Sequence, residues 1–167
     1  MNAIRRLRRL LGEAGSSAVE FALVAPLVTG LMIGVLETSN ALSVWLTLKK
    51  ATELGARFAT TGQGEIDGTR MAQIIAATKK VAADSRGIDV NVKVSSWAGL
   101  SASGAAREGD PGGPCDTVQI DVNYVYTPVT PLGDMLDPTN GASAWSQAMT
   151  MRQATRMVNE PWRPCPY

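Results

Sequence analysis

The sequence predicts an α+β chain. One long N-terminal helix, apolar in its first half and amphipathic in its second, leads into a small head with a second helix and an antiparallel sheet of about three strands. Three observations carry this. From Ala18 to Leu36 the only charge is Glu20. No strong breaker follows Leu36 until Gly62-Gln63-Gly64. Two later stretches, Ile88–Val94 and Val118–Tyr126, alternate apolar and polar residues as a half-buried strand does.

The elements follow in order. Residues 1–15 form a basic leader with Arg5, Arg6, Arg8 and Arg9. The apolar run 18–36 would make a helix of about 28 Å, close to the hydrocarbon thickness of a bilayer. Pro26 lies inside it, where a membrane helix accepts proline once neighbours satisfy the freed carbonyl. Gly30 and Gly34 form a G-x-x-x-G pair on which another helix can pack closely, although glycine is also simply common in membrane helices. Residues 37–60 continue the helix, with Leu42, Trp45, Leu46, Leu54 and Phe58 as its apolar positions among good helix formers. The whole, from about Ser16 to about Thr60, would measure nearly 70 Å.

Everything from residue 61 to 167 is assigned to the head. A second helix is expected from Thr69 to Ser85, capped by Asp67 or Thr69, with Met71, Ile74, Ile75, Thr78 and Val81 at helical spacing and Gly87 as its stop. Strands follow at 88–94 and 118–126, separated by a loop over 98–114 that holds the turn cluster Asp110-Pro111-Gly112-Gly113-Pro114. Pro128 and Pro131 close the second strand, and Leu132–Gly141 reads as a connection. A third strand is placed at about Ala144–Arg152. The tail Pro161–Tyr167 is too rich in proline for regular structure. A sheet this small needs a helix over its apolar face, and the amphipathic half of the long helix is the natural cover. Trp45, Trp97, Trp145 and Trp162 are assigned to the core by default.

Composition excludes several classes of function. Sixteen basic and fifteen acidic residues leave a net charge of +1, which points away from a nucleic-acid partner. With no histidine there is no Ser-His or Cys-His pair and no histidine-bound zinc. Asp134, Asp137 and Asn140 lack the spacing of a calcium loop and sit in ordinary turn dipeptides. A phosphate-binding glycine loop is missing too. The chain therefore reads as a non-enzyme that needs no cofactor or metal. The clustered arginines put the N-terminus on the cytoplasmic side and the head outside. In an exported head, Cys115 and Cys165 are most simply one disulfide.

The most informative constellation is Gly15-Ser16-Ser17-Ala18-Val19-Glu20-Phe21-Ala22 with Pro26. A small-residue junction after a basic leader, then Ala-Val-Glu-Phe-Ala and a proline, resembles the TadE/TadG-like minor pilins (pseudopilins) of the tight-adherence (Tad) type IV pilus. Gly55-Ala56-Arg57-Phe58-Ala59 resembles the Ala-Ala-Arg segment that ends that family's long helix. Val118–Tyr126 with Pro128 resembles its alternating strand and Tyr-x-Pro. The resemblance implies a pilin-like fold and a cut between Gly15 and Ser16 by a prepilin peptidase. It also implies assembly through the helix, with Glu20 and Phe21 as subunit contacts. The implied partners are other pilin and minor pilin subunits and the assembly platform in the inner membrane, and the implied roles are pilus biogenesis and adhesion at the cell surface. In that setting Glu20 would neutralise the new Ser16 ammonium of a neighbour.

Three other readings compete. Ser17 to Glu20 also has the spacing of a helix capping box. A secretory signal read at Ser39-Asn40-Ala41, leaving a chain that begins at Leu42, would explain the basic and apolar regions, but the apolar run exceeds the usual length of about 7 to 15 residues and contains an acid. An unprocessed single-span protein with a partner-binding outer domain is the remaining reading.

Overall fold

The computed structural model describes residues 2–130 and 149–166, with side chains from residue 15 onward. Helix α1 spans Asn2–Thr60 and α2 spans Arg70–Arg86. Four strands follow: β1 Asn91–Trp97, β2 Arg107–Glu108, β3 Thr117–Tyr126 and β4 Met149–Val158. They form one antiparallel sheet in the order β2-β1-β3-β4. The expected α+β architecture is present, with four strands rather than about three.

Helix α1 starts at Asn2, not near Ser16. The leader is itself a run of strong helix formers with no breaker, and one Gly15 costs only about 1 kcal/mol. Ser17 therefore lies inside the helix, and its spacing to Glu20 is not a capping box here. Pro26 is accommodated without ending the helix. Two compact units share α1: its turns up to Asn40 belong with residues 128–130, and Ala41–Thr127 belongs with β4 and the tail.

The second unit has its core between helices and sheet. Val44, Leu48, Ala51, Ala56 and Ala59 of α1 and Ile74 and Ala82 of α2 meet Val90 and Val94 around β1, Val118, Ile120 and Val122 of β3, and Met151 of β4. The inward residues of β3 are the even-numbered ones, as the alternation requires. Small residues set the helix spacing. A Cβ on Gly55 would run into the Thr78 side chain, so α1 and α2 touch where the Gly-Ala-Arg segment lies. Thr155 donates to Thr52 at 2.9 Å, which seats β4 over α1.

The end of α1 is closed by the rest of the unit. The last carbonyls of a helix have no partner within it. Here Phe58 O accepts from the Thr61 hydroxyl at 2.8 Å, Ala59 O from Arg70 Nη2 at 2.9 Å and Thr60 O from Glu160 N at 2.9 Å. Gly62 and Gly64 then turn the chain with φ of 68° and 79°. Gly62 also lies directly under the Trp162 ring, so a side chain there would clash as well as strain.

Helix α2 has Thr69 at its N-cap, as one of the two expected caps, but the Thr69 hydroxyl makes no capping bond. It accepts from Gln73 Nε2 at 2.9 Å, while Gly64 O takes the N–H groups of Thr69 and Arg70. Gly87 ends the helix in the left-handed conformation with its N–H on Ala83 O.

The strands depart from expectation mainly at their ends. β1 begins at Asn91 rather than Ile88, because Asn91↔Asn123 is the first pair in its ladder with β3. β2 arises inside the expected loop over 98–114 and pairs only through Ser95↔Glu108 and Ser96↔Arg107. β4 runs to Val158, six residues beyond the expected end. Its inward positions Gln153 and Thr155 are polar, so the alternation is faint in sequence. The stretch 144–148 of that expected strand, the connection Leu132–Gly141 with Asp134, Asp137 and Asn140, and Trp145 lie outside the described residues. The remaining tryptophans are not core residues. Trp45 is 40% exposed, Trp97 lies on the outer sheet face against Arg156, and Trp162 covers Gly62 and Arg70.

Candidate functional site

Residues 15–36 present apolar side chains outward along α1. Phe21 is 73% exposed and Leu23 74%, with Val19, Leu27, Leu31, Met32, Val35 and Leu36 similarly bare. A helix exposing large apolar residues all along such a run has a non-aqueous or protein surround. Among the described residues this is the one helix long and apolar enough to cross a membrane. Gly15, Gly30 and Gly34 face open space, so the G-x-x-x-G face remains available to an incoming helix. Ser16 Oγ donates to Glu20 Oε1 at 3.3 Å. The expected junction and the expected acid are thus one turn apart on the same helix face.

The next acid, Glu37, was assigned no role by sequence, yet it is a firm acceptor. Its carboxylate takes the N–H of Val129 at 3.2 Å, the N–H of Thr130 at 3.1 Å and the Thr130 hydroxyl at 3.0 Å. One charged acceptor holds two successive amides of the segment that follows β3, and such charge-assisted bonds are stronger than neutral ones. Its signal in the sequence was position alone: it is the first charge after the apolar run.

A polar knot closes the head at the end of α1. Arg70, 3% exposed, donates to Ala59 O at 2.9 Å, to Pro111 O at 3.4 Å and to Gly112 O, pairs with Glu65 Oε2 at 3.0 Å, and stacks 4.5 Å from the Trp162 ring centroid. One guanidinium thereby joins the last turn of α1, the linker before α2, the 110–113 turn and the tail. The sequence held a physical clue. A cation in the first turn of α2 opposes that helix's dipole, but it suits the C-terminal carbonyls of α1 that it meets. Asn159 Nδ2 donates to Pro111 O at 3.0 Å and Gly113 O at 2.8 Å. Cys115 and Cys165 are bonded, with Cα atoms 5.7 Å apart, so the disulfide expected from the cysteine count pins the tail just ahead of β3.

Asp116, buried beside this disulfide, accepts from Gly113 N at 2.9 Å, Gly99 N at 3.1 Å and the Arg107 guanidinium. Burial pushes its carboxyl up, but the hydrogen bonds from Arg107 and the two amides outweigh this and hold it below the ordinary value of 3.8. A folded-state pKa below the unfolded one contributes stability that is fully present above about pH 4 and lost as pH falls through the depressed value. Urea midpoints measured from pH 6 down to pH 2.5 should therefore fall less steeply for Asp116→Asn than for the unmodified chain; equal slopes would contradict this role.

Among the described residues no cluster of three or more His, Cys, Asp or Glu side chains is placed to hold a metal. What the geometry offers is an outward apolar helix with an acid one turn from a Gly-Ser junction, joined in sequence to a tightly knotted α+β head. The family described as TadE-like protein matches residues 15–57, from the Gly-Ser junction to the arginine of the Gly-Ala-Arg segment. Neither a curated protein nor a solved structure matches the chain.

Proposed function

We propose that the chain is a Tad-type minor pilin, cut after Gly15 and assembled through α1; the match of residues 15–57 to the TadE-like family supports this reading. The observation that carries this reading is the coincidence of the family match with the bare apolar helix and its Ser16–Glu20 contact. Cleavage would turn Ser16 into a free ammonium one turn from Glu20. A carboxylate at that depth is costly alone, and pairing with an ammonium, its own or a neighbour's, offsets the cost and sets the stagger between helices. Phe21, Pro26, Gly30 and Gly34 would lie in the helix-packing zone that follows. The leader 1–15 would stay in the cytoplasm, where its arginines hold it, and the head 61–167 would face outward from the inner membrane and then the fibre. Prepilin peptidase, other pilins and the assembly platform would be its partners, and adhesion its outcome.

Intact-mass measurement on membrane-extracted protein tests the reading. The expected mature chain begins at Ser16; a chain beginning at Leu42, or one still bearing its leader, overturns it. Glu20→Ala should be cut as before yet reach sheared fibres in much reduced amount. Normal incorporation would sink the pairing role.

A further inference from the structure

The two edges of the sheet differ in how they are protected. Unpaired strand edges are templates for other chains, and proteins blunt them with short strands or with charges set across the edge. β2 follows that rule, being two charged residues long. β4 does not. It pairs with β3 over ten residues, from Thr117↔Val158 to Tyr126↔Met149, and among the described residues no strand pairs with its other edge. It contains neither proline nor glycine.

Its two arginines, which could guard the edge, are drawn back over the sheet. Arg152 donates to Asp121 Oδ1 of β3 at 3.1 and 2.6 Å. Arg156 donates to Gln119 Oε1 of β3 at 3.0 and 2.7 Å and lies 4.5 Å from the Trp97 ring centroid on β1. Thr150, Ala154 and Val158 are left exposed on that face. The edge is open among the described residues, and the face beside it keeps a basic excess that lies toward β4: Lys93, Arg152 and Arg156 stand against Asp121 and, on distant β2, Glu108.

We propose that β4 is a docking edge that takes an extended segment of a different pilus subunit as a fifth strand, one that carries carboxylates on the side facing the arginines. Main-chain hydrogen bonds would supply affinity and the basic face selectivity. A second copy of this chain does not fit. Antiparallel self-pairing about a two-fold axis normal to the sheet would set the Arg152 and Arg156 face of one copy beside the same basic face of the other. That the partner is a pilus subunit rests on the pilin reading given above.

The test places a photo-crosslinking residue at Thr150 of the full chain in pilus-producing cells, with the mature mass measured on the same sample. The expected result is a cross-link to another pilus subunit, mapped by mass spectrometry to an extended acidic segment. Ala154→Glu, at an exposed position, should lower the cross-link yield about tenfold, because its carboxylate is a like charge set against the partner's acids, whereas Ala154→Lys should not lower it; urea midpoints measured beside both show that the fold is kept. A cross-link only to a second copy, only to lipid, to a segment without acids, or none at all overturns the inference. These outcomes stand apart from the cut: a chain that begins at Ser16 but gives no such cross-link overturns the docking edge and leaves the pilin reading intact.

Discussion

Arg70→Ala should lower the stability of the head by about 3 to 5 kcal/mol, the usual cost of deleting one member of a buried ionic network. The alanine removes the donor to Ala59 O, Pro111 O and Gly112 O at once, and leaves Glu65 without its cation. It also strips the Trp162 ring of its stacked guanidinium. A urea titration of the detergent-solubilised full chain, followed by tryptophan fluorescence, reads this directly because Trp162 reports on the knot. Arg70→Lys should recover only part of the loss. Lysine keeps the charge but cannot place several donors in a rigid plane toward carbonyls on two different segments and the Glu65 carboxylate. A midpoint unchanged in Arg70→Ala would show that the knot is incidental to the fold.

Replacing Cys115 and Cys165 together by serine is the second large effect. The bond closes a loop of 50 residues that contains β3 and β4, and chain-entropy arithmetic for such a loop gives about 4 kcal/mol. The native arrangement near it is not relaxed. Cys115 is the one described non-glycine residue with positive φ, 64°, a conformation that costs an ordinary residue about 1 kcal/mol or more. The bond to Cys165, the Asp116 N–H on Gly113 O and the Asn159 N–H on Asp116 O together hold it there. The same titration on the double serine variant, with the unmodified chain under reductant beside it, should give two matching downward shifts. If neither moves the midpoint, the disulfide is decoration on a head that the knot already holds.

Both effects concern contacts that residue order does not announce. The legible parts were those that periodicity and local chemistry govern. The charge-poor run 18–36, the glycine stops at Gly62 and Gly87 and the inward face of β3 could all be placed from neighbours a few residues away. The cysteine count gave the disulfide because only one pairing was possible. Arg70 and Glu37 were not legible, since their partners lie about 40 and 90 residues away along the chain. A lone arginine at a helix start and a lone glutamate after an apolar run each have a bland local reading. β2 was missed because two residues carry no alternation, and the end of β4 because its inward glutamine and threonine look like surface.

By itself the sequence determined the order and kind of the main elements, the membrane-length helix and the likeness of residues 15–57 to TadE-like proteins. Those follow from side-chain period, from turn residues with special backbone angles and from the length of an uncharged run, all local quantities. The tertiary structure decided which carbonyls at the end of α1 find a donor, where the head is knotted, and which sheet edge stays open with its arginines turned away. Those depend on segments far apart in sequence arriving at one place, and only packing brings them there.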